Sequence, residues 1–228
     1  MKFTLRSRAL VEFVGTAFLL MAVVGSGIMA ERLCAGNAGL ALLANSVATG
    51  AALVALILAL APISGAHFNP VVTLADAMQG GLAWRDVPVY VVAQIIGAFA
   101  GVAAAHMMFG LPLFFASHHV RSGRALLFSE FIATFGLLAV IWGCGRVRSS
   151  AVSFAVGAYI TAAYWFTSST SFANPAVTLA RAASDTFAGI RLLDAPGFIL
   201  AQIAGAVVAV ICFRWLEHSQ LSPVKEKA

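Results

Sequence analysis

The chain has 228 residues, of which 61% are apolar and only 10% charged. Soluble domains run at about 45–50% apolar and about 25% charged, so this composition excludes most soluble enzymes and disordered chains. The formal net charge of +5 is spread thinly over the chain, which excludes a nucleic-acid-binding stripe and fits loops that orient a membrane protein in a lipid bilayer.

The N-terminus, Lys2 to Arg8 followed by an apolar run to Ala30, has the outline of a signal peptide. The run contains Glu12 and is long for such a segment, so it is expected to stay as a first span. Six stretches are long enough to cross a bilayer: Ala9–Ala30, Ala38–Ile63, Val87–Phe109, Ala125–Cys144, Ala151–Phe166 and Ala195–Trp215. Cys34, Cys144 and Cys212 have no metal-ligand or CxxC spacing and read as apolar fillers. No metal or cofactor is expected, and no nucleophile–base grouping marks an enzyme.

Two uncharged stretches are too long for single spans. Leu33 to Ala75 holds 43 residues without Asp, Glu, Lys or Arg, and Ser149 to Ala180 holds 32. As one helix the first would be roughly 65 Å long, twice the hydrocarbon thickness. Both contain the same breaker, Asn69-Pro70-Val71-Val72-Thr73-Leu74-Ala75 and Asn174-Pro175-Ala176-Val177-Thr178-Leu179-Ala180. Asn is a preferred N-cap and Pro a preferred first helical residue, so each Asn-Pro predicts a new helix starting at membrane depth. The first runs to Gly80-Gly81, about 11 residues and half a bilayer.

The surroundings are duplicated too. Glu12-Phe13 matches Glu130-Phe131 at an offset of 118, Asn69-Pro70 matches Asn174-Pro175 at 105, and Gln94 to Ala98 matches Gln202 to Ala206 at 108. Each half therefore carries three spans and one half-helix, residues 1–115 and 116–228, and the odd count inverts the second copy. Nine basic residues (Lys2, Arg6, Arg8, Arg85, Arg146, Arg148, Arg214, Lys225 and Lys227) then fall on the N-terminal side. Five (Arg32, Arg121, Arg124, Arg181 and Arg191) fall opposite. That asymmetry puts both termini in the cytoplasm of a multi-pass plasma-membrane protein. Two helix N-termini meeting at Asn69 and Asn174 make an electropositive, donor-rich centre, suited to neutral hydroxylic solutes and hostile to cations.

With Ser64-Gly65-Ala66-His67-Phe68-Asn69-Pro70, Asn174-Pro175-Ala176 and the paired Glu and Gln residues in place, the chain resembles the aquaporin and glycerol-facilitator family over nearly its full length. Its overall look is that of bacterial channels associated with arsenic resistance. The resemblance implies an all-α membrane protein of six transmembrane helices and two re-entrant half-helices in an inverted repeat. It also implies a pore in every subunit, a homotetramer, and passive flow of small uncharged solutes. Two departures stand out. Val71 replaces the usual Ala of the first motif, and Val177 replaces the Arg that follows the second and narrows the outer constriction. Ungapped spacing carries the other constriction positions to Thr49, Ala162 and Ser171, Thr49 being supported by the helix-crossing Gly50. The ring so read has no charge and no large aromatic, which predicts a wide filter for glycerol-sized solutes and neutral metalloid hydroxides such as arsenous acid.

Arg181, one turn past Val177, is expected at the outer end of its half-helix or paired with Asp185 rather than in the pore. Glu12, Glu130, Gln94 and Gln202 are expected to brace the re-entrant loops, with a proton-relay role for the acids as the sharper alternative. His67 reads equally as a lumen donor or a brace. His118 and His119 read as solvated loop residues. An ion-coupled transporter is the main rival function, and an ion or anion channel the second.

Overall fold

A computed structural model describes residues 3–220; Lys2, Lys225 and Lys227, assigned above to the cytoplasmic side, lie outside the described residues. Eight helices follow in order: α1 (Leu5–Leu33), α2 (Ala38–Ser64), α3 (Pro70–Met78), α4 (Val87–Met108), α5 (Arg124–Val147), α6 (Val152–Phe166), α7 (Pro175–Arg181) and α8 (Ala195–Gln220). Five of them are long and apolar enough to cross a membrane by length and composition. The sixth spanning element, α6, has 15 residues, roughly 22 Å, and a turn of tighter helix, Ser149–Ala151, leads into it. It stops short because Thr167 already begins the extended segment leading to the second Asn-Pro.

The two breakers act as their residue types dictate. Asn69 and Asn174 sit in extended backbone as N-caps, and Pro70 and Pro175 open α3 and α7. α3 ends at Met78 with 9 residues, two short of the expected length, because the chain turns at Gly80 with φ +82°. α7 has 7 residues. Neither crosses a bilayer.

The long helices pack as two matching sets. α1 lies against α2 and α4, α5 against α6 and α8, and α2 meets α6 across the middle. The close approaches are made at glycine. A methyl on Gly97 would press into the Phe13 backbone of α1, and one on Gly205 into the Phe131 backbone of α5. Gly50 and Gly157 do the same for the α2–α6 crossing, each facing the other's carbonyl. Buried polar groups find local partners: Asn45 donates to Val23 O and to Ser26 Oγ, both at 2.8 Å, tying α2 to α1. The outer surface is apolar, with Leu58, Val92, Phe128, Phe154 and Ile211 all exposed, as lipid-facing positions require. Between α4 and α5 the chain folds over the end of α7, where Phe115 N donates to Ala183 O and Ser117 N to Ala182 O. That contact carries Arg121 to the second re-entrant loop.

Candidate pore and its two re-entrant loops

The segments entering α3 and α7 are held in unusual backbone. Of six non-glycine residues with positive φ among the described residues, five lie here: Ala66, Phe68, Thr170, Ser171 and Ala173. With Gly65 added, they form three pairs at the offset of 105, namely 65 with 170, 66 with 171 and 68 with 173. Left-handed backbone costs about 1–2 kcal/mol per non-glycine residue, so something must hold it.

The holding groups are the two buried glutamates. Glu12 accepts from Ser64 Oγ (2.7 Å), His67 N (3.0 Å), Phe68 N (2.7 Å) and Gln94 Nε2 (2.8 Å). Glu130 accepts from Phe172 N and Ala173 N, both at 2.9 Å, and from Gln202 Nε2 at 2.6 Å. Both are fully buried, and neither touches the cavity. Gln94 and Gln202 continue the chain to Thr73 Oγ1 (2.8 Å) and Thr178 Oγ1 (2.9 Å). Each threonine in turn donates to the carbonyl of its own Asn, at 3.0 and 2.8 Å. The sequence signal for these threonines is their spacing of four from each Asn, since a helical hydroxyl reaches back to the i−4 carbonyl.

The two Asn side chains cross-link the loops. Asn69 Nδ2 donates to Ala173 O at 2.7 Å, and Asn174 Nδ2 donates to Phe68 O at 2.8 Å. Their Oδ1 atoms accept from Val71 N, and from Ala176 N and Val177 N. One N–H of each amide is thus committed to the opposite loop, leaving the other for the lumen. Pro70, Val71, Pro175 and Ala176 are buried where α3 meets α7 and do not line the cavity.

A cavity of about 440 Å³ runs past both Asn residues. At one end it is lined by Arg8, His67, Asp76 and Tyr90, at the other by Ser171, Phe172, Val177 and Arg181. Thr49, Ser171 and Val177 line it; Ala162 does not. Ala162 lies on the exposed face of α6, while Ile160 and Tyr164 face the lumen. Two residues on a helix turn a side chain through about 200°, so Ala162 points away from the lumen that Ile160 and Tyr164 face. Tyr164 OH stands 3.3 Å from Thr49 Oγ1. The sequence signal for it was a phenol in an apolar span, which must find a polar neighbour.

Arg181 ends α7, as the sequence predicts, but it neither pairs with Asp185 nor stays out of the cavity wall. Asp185 pairs instead with His118, whose ring Nδ1 lies 2.9 Å from its carboxylate, so His118 is not simply solvated. Arg181 is 98% buried (2% exposed), lines the cavity, donates from Nε to Ala188 O, and stacks on Phe172 with Cζ 3.4 Å from the ring centroid. Val177 and Arg181 share one face of α7 because they are four residues apart. A charge and a large aromatic therefore do stand in this wall. His67 both braces and lines: its N–H bonds Glu12, its Nδ1 lies 3.2 Å from Thr73 Oγ1, and its Nε2 faces Asp76 at 3.7 Å.

Comparison with known proteins agrees with this geometry. A family model described as major intrinsic protein matches residues 1–148. Aquaglyceroporin AqpS of Rhizobium meliloti (strain 1021) is 55% identical over 215 residues, 94% of this chain and 92% of that protein. Probable aquaporin NIP7-1 of Arabidopsis thaliana is 30% identical over 208 residues, covering 89% and 74% of the two chains. The X-ray structure of the aquaglyceroporin from Plasmodium falciparum superposes with a TM-score of 0.71 over 96% of this chain and 98% of that one, at 23% identity, a likeness of fold.

Proposed function

This chain belongs to the major intrinsic protein family of membrane channels, and we propose that it passes water, glycerol and small neutral metalloid hydroxides such as arsenous acid. The observation that carries this reading is the reciprocal Asn69–Ala173 and Asn174–Phe68 pair set in the wall of one continuous cavity. Two half-helix N-termini, each worth about +0.5 charge, then meet a solute beside Asn69 and Asn174. A neutral molecule offers oxygen to them, and a cation is repelled. Val177 in place of a guanidinium at the start of α7 leaves room for a polyol beside Thr49 and Ser171. The glycerol assignment draws support from the aquaglyceroporin likeness, and arsenous acid is an uncharged trihydroxide of similar bulk.

The arrangement extends to the whole chain. Residues 1–115 and 116–228 act as the two inverted repeats of one channel domain, with Glu12 and Glu130 as the matched braces. The chain works as a homotetramer in the plasma membrane with both termini cytoplasmic, the basic-residue asymmetry and the broad apolar exterior supporting that placement. Ion coupling is disfavoured because both intramembrane acids are consumed in holding loop N–H groups and neither lines the path.

Stopped-flow light scattering on proteoliposomes tests this directly. The protein should accelerate water, glycerol and arsenous acid entry over empty liposomes, and Val177→Arg should slow glycerol by about tenfold with a smaller effect on water. Glycerol entry no faster than in empty liposomes would overturn the reading.

A further inference from the structure

The lumen faces of the two half-helices carry opposite charges at matched positions. Val72 and Asp76 of α3 line the cavity four residues apart, and Val177 and Arg181 of α7, their counterparts at the offset of 105, line its other end. Asp76 has no anchor of its own. Among the described residues its carboxylate accepts no hydrogen bond, and the one ionisable side chain it meets is His67, whose Nε2 stands 3.7 Å from Oδ2. Proton counting fixes the state of that ring. Thr73 Oγ1 has a single hydrogen and donates it to Asn69 O at 3.0 Å, while it accepts from Gln94 Nε2 at 2.8 Å. Its 3.2 Å contact with His67 Nδ1 therefore needs the hydrogen on Nδ1, and the neutral ring is left with Nε2 as a bare acceptor. Two acceptors thus stand side by side in the cavity wall, and their lone pairs repel unless hydrogens reach them from the lumen. The neighbouring donors are spent elsewhere: Tyr90 OH donates to Ser64 O at 2.9 Å and Arg8 Nη2 to Asp86 at 2.8 Å.

We propose that Asp76 and neutral His67 form a hydroxyl-accepting solute site at the first mouth, which binds a neutral solute through two of its O–H groups. The proposal rests on the channel reading above and deepens it. A polyol, or a metalloid centre bearing several hydroxyls, brings two O–H donors on one molecule and meets both acceptors at once. Hydrogen bonds to an ionised carboxylate are about twice as strong as neutral ones, so Asp76 carries most of the attraction. The same charge refuses the anion of an acidic solute. Gly81 gives the carboxylate its place: a methyl there would stand 2.3 Å from Oδ1 and 2.6 Å from Oδ2, so any side chain at this residue pushes the acceptor aside. The site is chemically the reverse of the midpoint beyond it, where the half-helix N-termini offer donors to the solute's oxygens. A solute held by its hydrogens at the mouth thus presents its oxygens inward.

The test measures glycerol entry into proteoliposomes of the full chain over a range of glycerol concentrations, with water entry alongside. Wild-type glycerol flux should saturate. Asp76→Asn is isosteric at a partly exposed position and turns one acceptor oxygen into an amide donor. It should raise the half-saturating glycerol concentration about tenfold and lower the glycerol-over-water ratio at low glycerol by the same factor. Gly81→Ala keeps the charge and displaces only the carboxylate, and should raise the half-saturating concentration about threefold. A shift with Asp76→Asn but none with Gly81→Ala would make the effect one of mouth charge and overturn the paired-acceptor site. Unchanged half-saturation in both variants overturns it too, even if the maximal flux falls, since a merely structural residue would lower the flux alone. A wild-type chain that passes neither water nor glycerol fails the channel reading, and the site falls with it.

Discussion

The two re-entrant loops share a backbone and differ in almost everything that faces a solute. Gly65–Asn69 and Thr170–Asn174 have the same left-handed residues at matched positions, a glutamate under each, and a Gln–Thr relay to each Asn carbonyl. Yet the aromatic pair beside the first is His67 with Tyr90, and beside the second Phe172 with Phe198. The first mouth carries Asp76 and an Arg8 paired with Asp86 at 2.8 Å, whereas the second carries two arginines stacked on one ring. The scaffold is thus fixed twice by the same bonds, and the chemistry of each mouth is left free to diverge.

The comparison breaks most severely at the braces. Glu12→Gln and Glu130→Gln each set an amide N–H against loop N–H groups in a buried place, and both should lose stability by about 3 kcal/mol or more. Glu12→Gln should be the worse, because it serves four donors against three. Thermal melts in detergent read this, and equal melts for variant and parent would show that the loops hold themselves.

The glycine contacts come next. Gly97→Val and Gly205→Val push a side chain into the Phe13 and Phe131 backbones, and each should cost about 1–3 kcal/mol by overpacking. Similar losses on the two sides would confirm equivalent packing; a loss on one side alone would separate the halves.

A loop exchange sharpens the comparison further. Thr170 occupies left-handed backbone at φ 63° where its counterpart Gly65 has φ 92°. Thr170→Gly should stabilise by up to about 1 kcal/mol, and Gly65→Thr should destabilise by about 1–2 kcal/mol, with the His67 ring also in the way. Denaturation in mixed micelles distinguishes the two signs.

The smallest effect is expected where the loop between α4 and α5 meets the segment after α7. The hydrogen bond from the His118 ring, with a second from its backbone N, holds the Asp185 carboxyl below the ordinary aspartate range. A folded-state value below the unfolded one gives stability that is present above about pH 4 and fades as the pH falls through the folded value. With His118 largely exposed, Asp185→Asn should cost at most about 0.5 kcal/mol at pH 7. The difference should shrink as the pH falls below the ordinary aspartate range, which paired melts at neutral and acid pH would show.

The sequence by itself determined the membrane class, the half-helices and the duplicated braces. These follow from local rules: apolar runs of span length, Asn-Pro as cap and first turn, and ionisable groups that cannot lie unpaired in lipid. Glu12, Gln94 and Asn69 could be read because each repeats with its neighbours at a fixed offset. Only the tertiary structure decided the second mouth. Ala162 and Tyr164 are two residues apart on α6, and which one meets the lumen depends on the rotation of a helix whose sequence is apolar all round. By spacing alone Arg181 was expected at the end of its half-helix or against Asp185 rather than in the pore. The loop over α7 brought His118 to Asp185 and Arg121 to Phe172, and contacts between residues so far apart in the chain leave no periodic trace in the sequence.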